Sequence, residues 1–114
     1  MAYMKELPAI QKAYDLAKEI LTRTAKFPRE HRFTLGDRIA SNVLAVLELL
    51  IQATYTKKKT FLLDDANLRL ERLRMLLRLS RELGVMSNKG YEYVMGTGTS
   101  QIDRRPPLGF LQSF

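Results

Sequence analysis

The sequence predicts an all-α protein, an antiparallel up-and-down four-helix bundle whose last helix is weak or broken near Pro106-Pro107. Three observations point there. Apolar residues recur at helical spacing through three long segments, no segment alternates at the period of a strand, and the connections are short enough to make successive helices antiparallel. The expected helices cover about residues 8–25, 35–54, 62–83 and 87–104, in one domain spanning 1–114. A chain of this size buries about two thirds of the surface that its unfolded form exposes, enough for one real core.

In the first segment Ala9, Ile10, Ala13, Leu16, Ala17, Ile20 and Leu21 fall on one side of a helical axis, and Lys12, Asp15, Lys18, Glu19, Thr22 and Arg23 on the other. Pro8 suits a first turn, where no amide donor is needed. The following stretch, KFPREHRFTLGDRI (residues 26–39), reads as a junction. Pro28 disfavours helical angles at Phe27, and Thr34 with Asp37 has the spacing of an acidic capping box opening the second helix.

That second helix carries Leu35, Ile39, Val43, Val46, Leu50 and Ala53 on one stripe, widened by Ala40, Leu44, Leu47 and Ile51. So broad an apolar face implies neighbours on two sides. Lys57-Lys58-Lys59-Thr60 is then a turn, and Asp64-Asp65 are expected in the first turn of the third helix, at its positive dipole end. Leu63, Ala66, Leu70, Leu73 and Leu77 form its core stripe, with Gly84 as the stop. Ser87 is placed to cap a fourth helix with Tyr91, Val94 or Met95, Gly98 and Ile102 facing inward. Gly96, Gly98 and the prolines weaken its far end.

The composition removes whole classes of chemistry. With no cysteine and a single histidine, His31, there is no disulfide, thiolate metal site, cysteine nucleophile or multi-histidine cluster. His31 reads as a loop histidine, and no cofactor and no catalytic centre are expected. No apolar run is long enough to cross a bilayer, and the start Met1-Ala2-Tyr3-Met4-Lys5-Glu6 does not resemble a secretory signal, so the expected setting is the cytoplasm. The net charge of +7 is concentrated in residues 57–114, with eleven Lys/Arg against six Asp/Glu. Such an excess favours polyanionic partners, nucleic acid or an acidic protein surface.

Two surface patterns carry information. Leu68, Met75 and Leu79 form a second stripe on the third helix, away from Leu70, Leu73 and Leu77. It either completes an intramolecular contact or packs on another copy of the chain. Arg74, Arg78 and Arg81 make a ridge, with Arg72 near the second stripe and Lys57, Lys58 and Lys59 at the start of the helix. The ridge is either a track for phosphates or a solvated face paired with Glu71 and Glu82. Arg69 projects near the core stripe and is expected to snorkel or to pair at a helix boundary. Phe27 and Phe33 either stack on bases or anchor the basic loop into the bundle end.

The KFPREHRFTLGDRI junction, the apolar second helix, the stretch LLDDANLRLERLRMLLRLSRELGVMSNKGYEYV and the ending LGFLQSF together resemble a small four-helix-bundle family. It contains the accessory variability determinant proteins of diversity-generating retroelements and, more distantly, the proteins encoded in ribosomal RNA intervening sequences. The likeness covers about residues 10–95. It implies a homo-oligomer, a pentamer in the retroelement proteins, whose basic surface engages a reverse transcriptase and RNA or DNA without catalysis of its own. The basic positions available here are Arg29, Arg32, Lys57, Lys58, Lys59, Arg72, Arg74, Arg78 and Arg81, and the expected oligomer contact is Leu68, Met75 and Leu79. The chain departs from the family at its end. There Ile102-Asp103-Arg104 runs into Arg105-Pro106-Pro107 and then Leu108-Gly109-Phe110-Leu111, where a continuous helix and a Leu-Gly-Gly-Trp-like ending would be usual.

Overall fold

The computed structural model describes residues 3–96, with side chains from residue 8 onward. Its elements are α1 (Tyr3–Thr24), a single turn α2 (Arg29–His31), a π-helical turn (Arg32–Gly36), α3 (Asp37–Thr54), α4 (Lys59–Glu82) and α5 (Asn88–Val94). The described residues contain no strand. The architecture is an all-α four-helix bundle built from α1, α3, α4 and α5.

Helix α3 is the central element and packs on both α1 and α4, while α5 rests on α4 and α1. Leu44 and Ile51, expected to widen the buried face of α3, and Leu21 of α1 are nevertheless exposed. Ile20 of α1, Ile39, Val43, Val46 and Leu50 of α3, and Leu70, Leu73 and Leu77 of α4 are fully buried in one continuous cluster, which Val94 of α5 joins. Burying each Leu or Ile in this way contributes about 1.5–3 kcal/mol.

Several boundaries differ from the sequence reading, each for a local reason. Helix α1 starts ahead of Pro8, so the proline lies inside the helix and not in its first turn; the preceding Lys5-Glu6-Leu7 are good helix formers. The capping box at Thr34 does not form. The chain is already helical after Pro28, whose carbonyl accepts from the amides of His31 at 2.9 Å and Arg32 at 3.0 Å. The Asp37 amide donates to the Thr34 carbonyl and the Thr34 hydroxyl to the His31 carbonyl, which leaves the hydroxyl no cap to make. The turn is held by Phe27, whose ring is buried in the core.

Helix α4 begins at Lys59, where burial of Leu62 and Leu63 draws the chain in early. Asp64 and Asp65 therefore sit beyond the first turn, and Asp65 faces Arg69 one turn on instead of the helix dipole. Gly84 does end this helix, at φ +77°, with the amides of Val85 and Met86 returning to the Ser80 carbonyl at 2.9 and 3.1 Å. Because L side chains disfavour that conformation by about 1–2 kcal/mol, Gly84→Ala should lower the unfolding free energy by about that amount in a urea titration, although a Cβ there would meet no neighbour.

Ser87 caps α5 as expected, its hydroxyl oxygen accepting from the Gly90 amide at 3.0 Å. The α-helix is shorter than the expected 87–104, giving way to a π-helical turn at Met95 and Gly96. Val94 is buried, and Tyr91 and Met95 pack at the edge of the core. The expectations for Gly98, Ile102, Pro106-Pro107 and the LGFLQSF ending lie outside the described residues.

Candidate nucleic-acid and assembly surface

The second stripe of α4 is exposed. Leu68 is 49% accessible, Met75 60% and Leu79 44%, on the side of the helix opposite Leu70 and Leu77. Among the described residues nothing covers it, so residues 8–96 do not supply the intramolecular contact that the sequence reading offered as one alternative. The structure also extends it by a residue that the sequence reading passed over: Phe61, one heptad before Leu68, is 76% exposed. The spacing 61, 68, 75 was the available signal.

The candidate cations separate into four environments. Arg74, Arg78 and Arg81 are engaged by glutamates of their own helix. Arg74 Nη1 donates to Glu71 Oε2 at 2.7 Å, Arg78 Nε to Glu82 Oε2 at 3.0 Å, and Arg81 Nη2 lies 3.9 Å from the same Glu82 oxygen. Arg81 also stacks over the Tyr91 ring, 4.4 Å from its centroid. This ridge is therefore the ion-paired face that the sequence offered as the alternative to a phosphate track. The Arg78–Glu82 pair, exposed on both sides, contributes about 0.2–1 kcal/mol, whereas the Arg74 side chain is largely buried.

Lys57 and Lys58 are exposed in the link between α3 and α4, and Lys59 is the half-buried first residue of α4. The N-terminus of α4 has no side-chain cap. Three ammonium groups at the positive end of a helix add to its unsatisfied amides, and that combination stabilises an anion.

Arg29 and Arg32 are exposed on the turn that leads into α3, and Arg32 Nη2 donates to the Phe27 carbonyl at 3.3 Å. Because α3 and α4 are antiparallel, this turn and the lysine cluster lie at opposite ends of the pair. A helix of 24 residues is about 36 Å long, so the nine predicted cations do not form one patch.

Between the Arg32–Gly36 turn and the second half of α4 lies a groove of about 950 Å³. Arg72, exposed and with no carboxylate partner among the described residues, lines it together with Arg38, Arg69 and Asn42, which were not among the predicted site residues. Arg69 pairs loosely with Asp65, Nε to Oδ1 3.6 Å, too long for a hydrogen bond. The signal for Asn42 was a polar residue on the same stripe as Ile39 and Val46. Of the two phenylalanines, Phe27 anchors the turn and Phe33 does not, being 68% exposed at the groove.

Among the described residues no group of His, Cys, Asp or Glu could hold a metal ion, and no helix is long and apolar enough to cross a membrane. The fold and its outer face define a small helical bundle with an open apolar stripe and cations at both ends. The model of the bAvd-like family matches residues 9–99, most of the chain, and the protein belongs to that family. No curated protein and no solved structure matches it.

Proposed function

We propose that this chain is a non-catalytic accessory protein of a diversity-generating retroelement, acting in the cytoplasm as a homo-oligomer that brings a reverse transcriptase together with RNA or DNA. The observation that carries the reading is membership of the bAvd-like family over residues 9–99. The surface supplies the means. Phe61, Leu68, Met75 and Leu79 offer an apolar seam to a second copy, with a pentamer as the assembly that the family likeness implies. The lysines at the head of α4 and the arginines around the Arg32–Gly36 turn offer cations to a phosphate backbone. Assembly as a ring or barrel repeats each cluster around the oligomer, so that modest individual contacts add.

Titration with RNA and with duplex DNA over a salt series tests the nucleic-acid half. Engagement of about six phosphates on B-DNA gives a log–log slope of about −5. Absence of binding at low salt removes this half. The ion pairs made by Arg74, Arg78 and Arg81 favour a second reading, an interaction module like the intervening-sequence proteins that meets protein partners only. A chromosomal position beside a reverse transcriptase gene with template and variable repeats selects the first reading, and a position within a ribosomal RNA gene selects the second.

A further inference from the structure

The groove beside the Arg32–Gly36 turn contains polar atoms that the fold does not satisfy. Asn42 is 9% exposed and spends its amide nitrogen on the Arg38 carbonyl at 2.8 Å, which leaves Oδ1 buried and without a partner. Arg69 Nε is likewise buried without a hydrogen bond, its nearest carboxylate oxygen, Asp65 Oδ1, standing 3.6 Å away. A buried acceptor and a buried donor left open cost about 1–3 kcal/mol each, a cost that a ligand with the reciprocal groups would remove. Around them stand an exposed aromatic ring, Phe33, and the guanidinium groups of Arg38 and Arg72. Of the carboxylates lining the groove, Glu71 is held by Arg74 and Asp37 stands in the first turn of α3.

We infer that this groove seats one nucleotide of a single strand: the base stacks on Phe33, its exocyclic amine donates to Asn42 Oδ1, a base acceptor receives from Arg69, and the flanking phosphate lies on Arg38 and Arg72. The inference rests on the nucleic-acid reading above and adds a preference to it. A solvent-facing phenylalanine provides a stacking platform that every base can use. An open amide oxygen distinguishes the bases that carry an amine. Met75 belongs both to the groove lining and to the outward stripe, so in an oligomer joined through that stripe each nucleotide sits beside a subunit boundary.

Fluorescence anisotropy with end-labelled oligomers of A, C or U, on the full chain, tests the site. The A and C strands should bind at least about fivefold more tightly than U, the size of one net hydrogen bond. Asn42→Leu should erase that preference. Phe33→Ala, at a position too exposed to matter for folding, should weaken binding of all three about tenfold, within the range of one stacked base, with the thermal midpoint unchanged. Equal binding of A, C and U by the natural chain, or full binding by Phe33→Ala, overturns the site while leaving a general basic surface intact. Absence of binding to every strand overturns the site and the nucleic-acid reading together. Loss of oligomer mass in Phe33→Ala would assign the groove to a partner subunit, and that also overturns the proposal.

Discussion

Aspartate at both Leu68 and Leu79 should convert a multimer into a monomer that keeps its helices. The two side chains are 49% and 44% exposed in the single subunit, so carboxylates there remain hydrated and change the stability of the fold by about 0.5 kcal/mol each. In a contact between copies the same carboxylates would lose their water against the apolar seam. An unpaired charge in that setting costs several kcal/mol, more than most interfaces of this kind hold in surplus. Light scattering reads the mass and circular dichroism the helix content. A mass unchanged from a multimeric natural chain would remove the stripe from the interface.

A second large effect is expected from neighbouring residues of α3. Leu50 is completely buried and Ile51 is 42% exposed, so one step along the helix crosses from core to surface. Leu50→Ala should cost about 2–5 kcal/mol, through lost transfer energy and the cavity left behind. For a domain of this size each kcal/mol moves the melting temperature by about 4–8 °C, which predicts a fall of about 8–40 °C by calorimetry. Ile51→Ala should move it by a small fraction of that. If the Ile51 loss grows as the protein is concentrated, the outer face of α3 also takes part in assembly, because linkage makes the midpoint depend on concentration only where a contact between copies is broken. Equal losses at the two positions would contradict the placement of the core.

Much of this architecture was legible before any coordinates. The core stripes of α1, α3 and α4 follow from periodicity, but the width of the α3 face does not, since Leu44 and Ile51, read as part of it, are 38% and 42% exposed. Gly84 and Ser87 were readable because each meets a specific local need, a left-handed stop and an amide acceptor. The Thr34 cap misled because its spacing is correct and its context is not. Pro28 starts the helix upstream, and by Asp37 the backbone amides are already paired. The start of α4 was misplaced in the same way, since burial of Leu62 outweighs the dipole preference of Asp64 and Asp65.

The surface was harder to read. The stripe of Leu68, Met75 and Leu79 was visible as a pattern, but whether its own chain covers it depends on where α5 lies, and α5 rests elsewhere. The arginine ridge was likewise visible, and its pairing with Glu71 and Glu82 depends on rotamers that spacing permits without requiring. The groove joins residues 33–42 with residues 69–76, a proximity set by the register of α3 against α4 that no local motif encodes.

The manner in which α5 is held has a further consequence. Only Gly90 and Val94 of this seven-residue helix are buried. Tyr91 and Met95 pack at the edge of the core, and two arginines lie over tyrosine rings, Arg81 on Tyr91 and Arg23 on Tyr93, the latter guanidinium fitting where Gly90 has no side chain. Such stacks give about 0.5–1 kcal/mol each at exposed sites, so α5 is held to the bundle more lightly than α1, α3 and α4 hold one another.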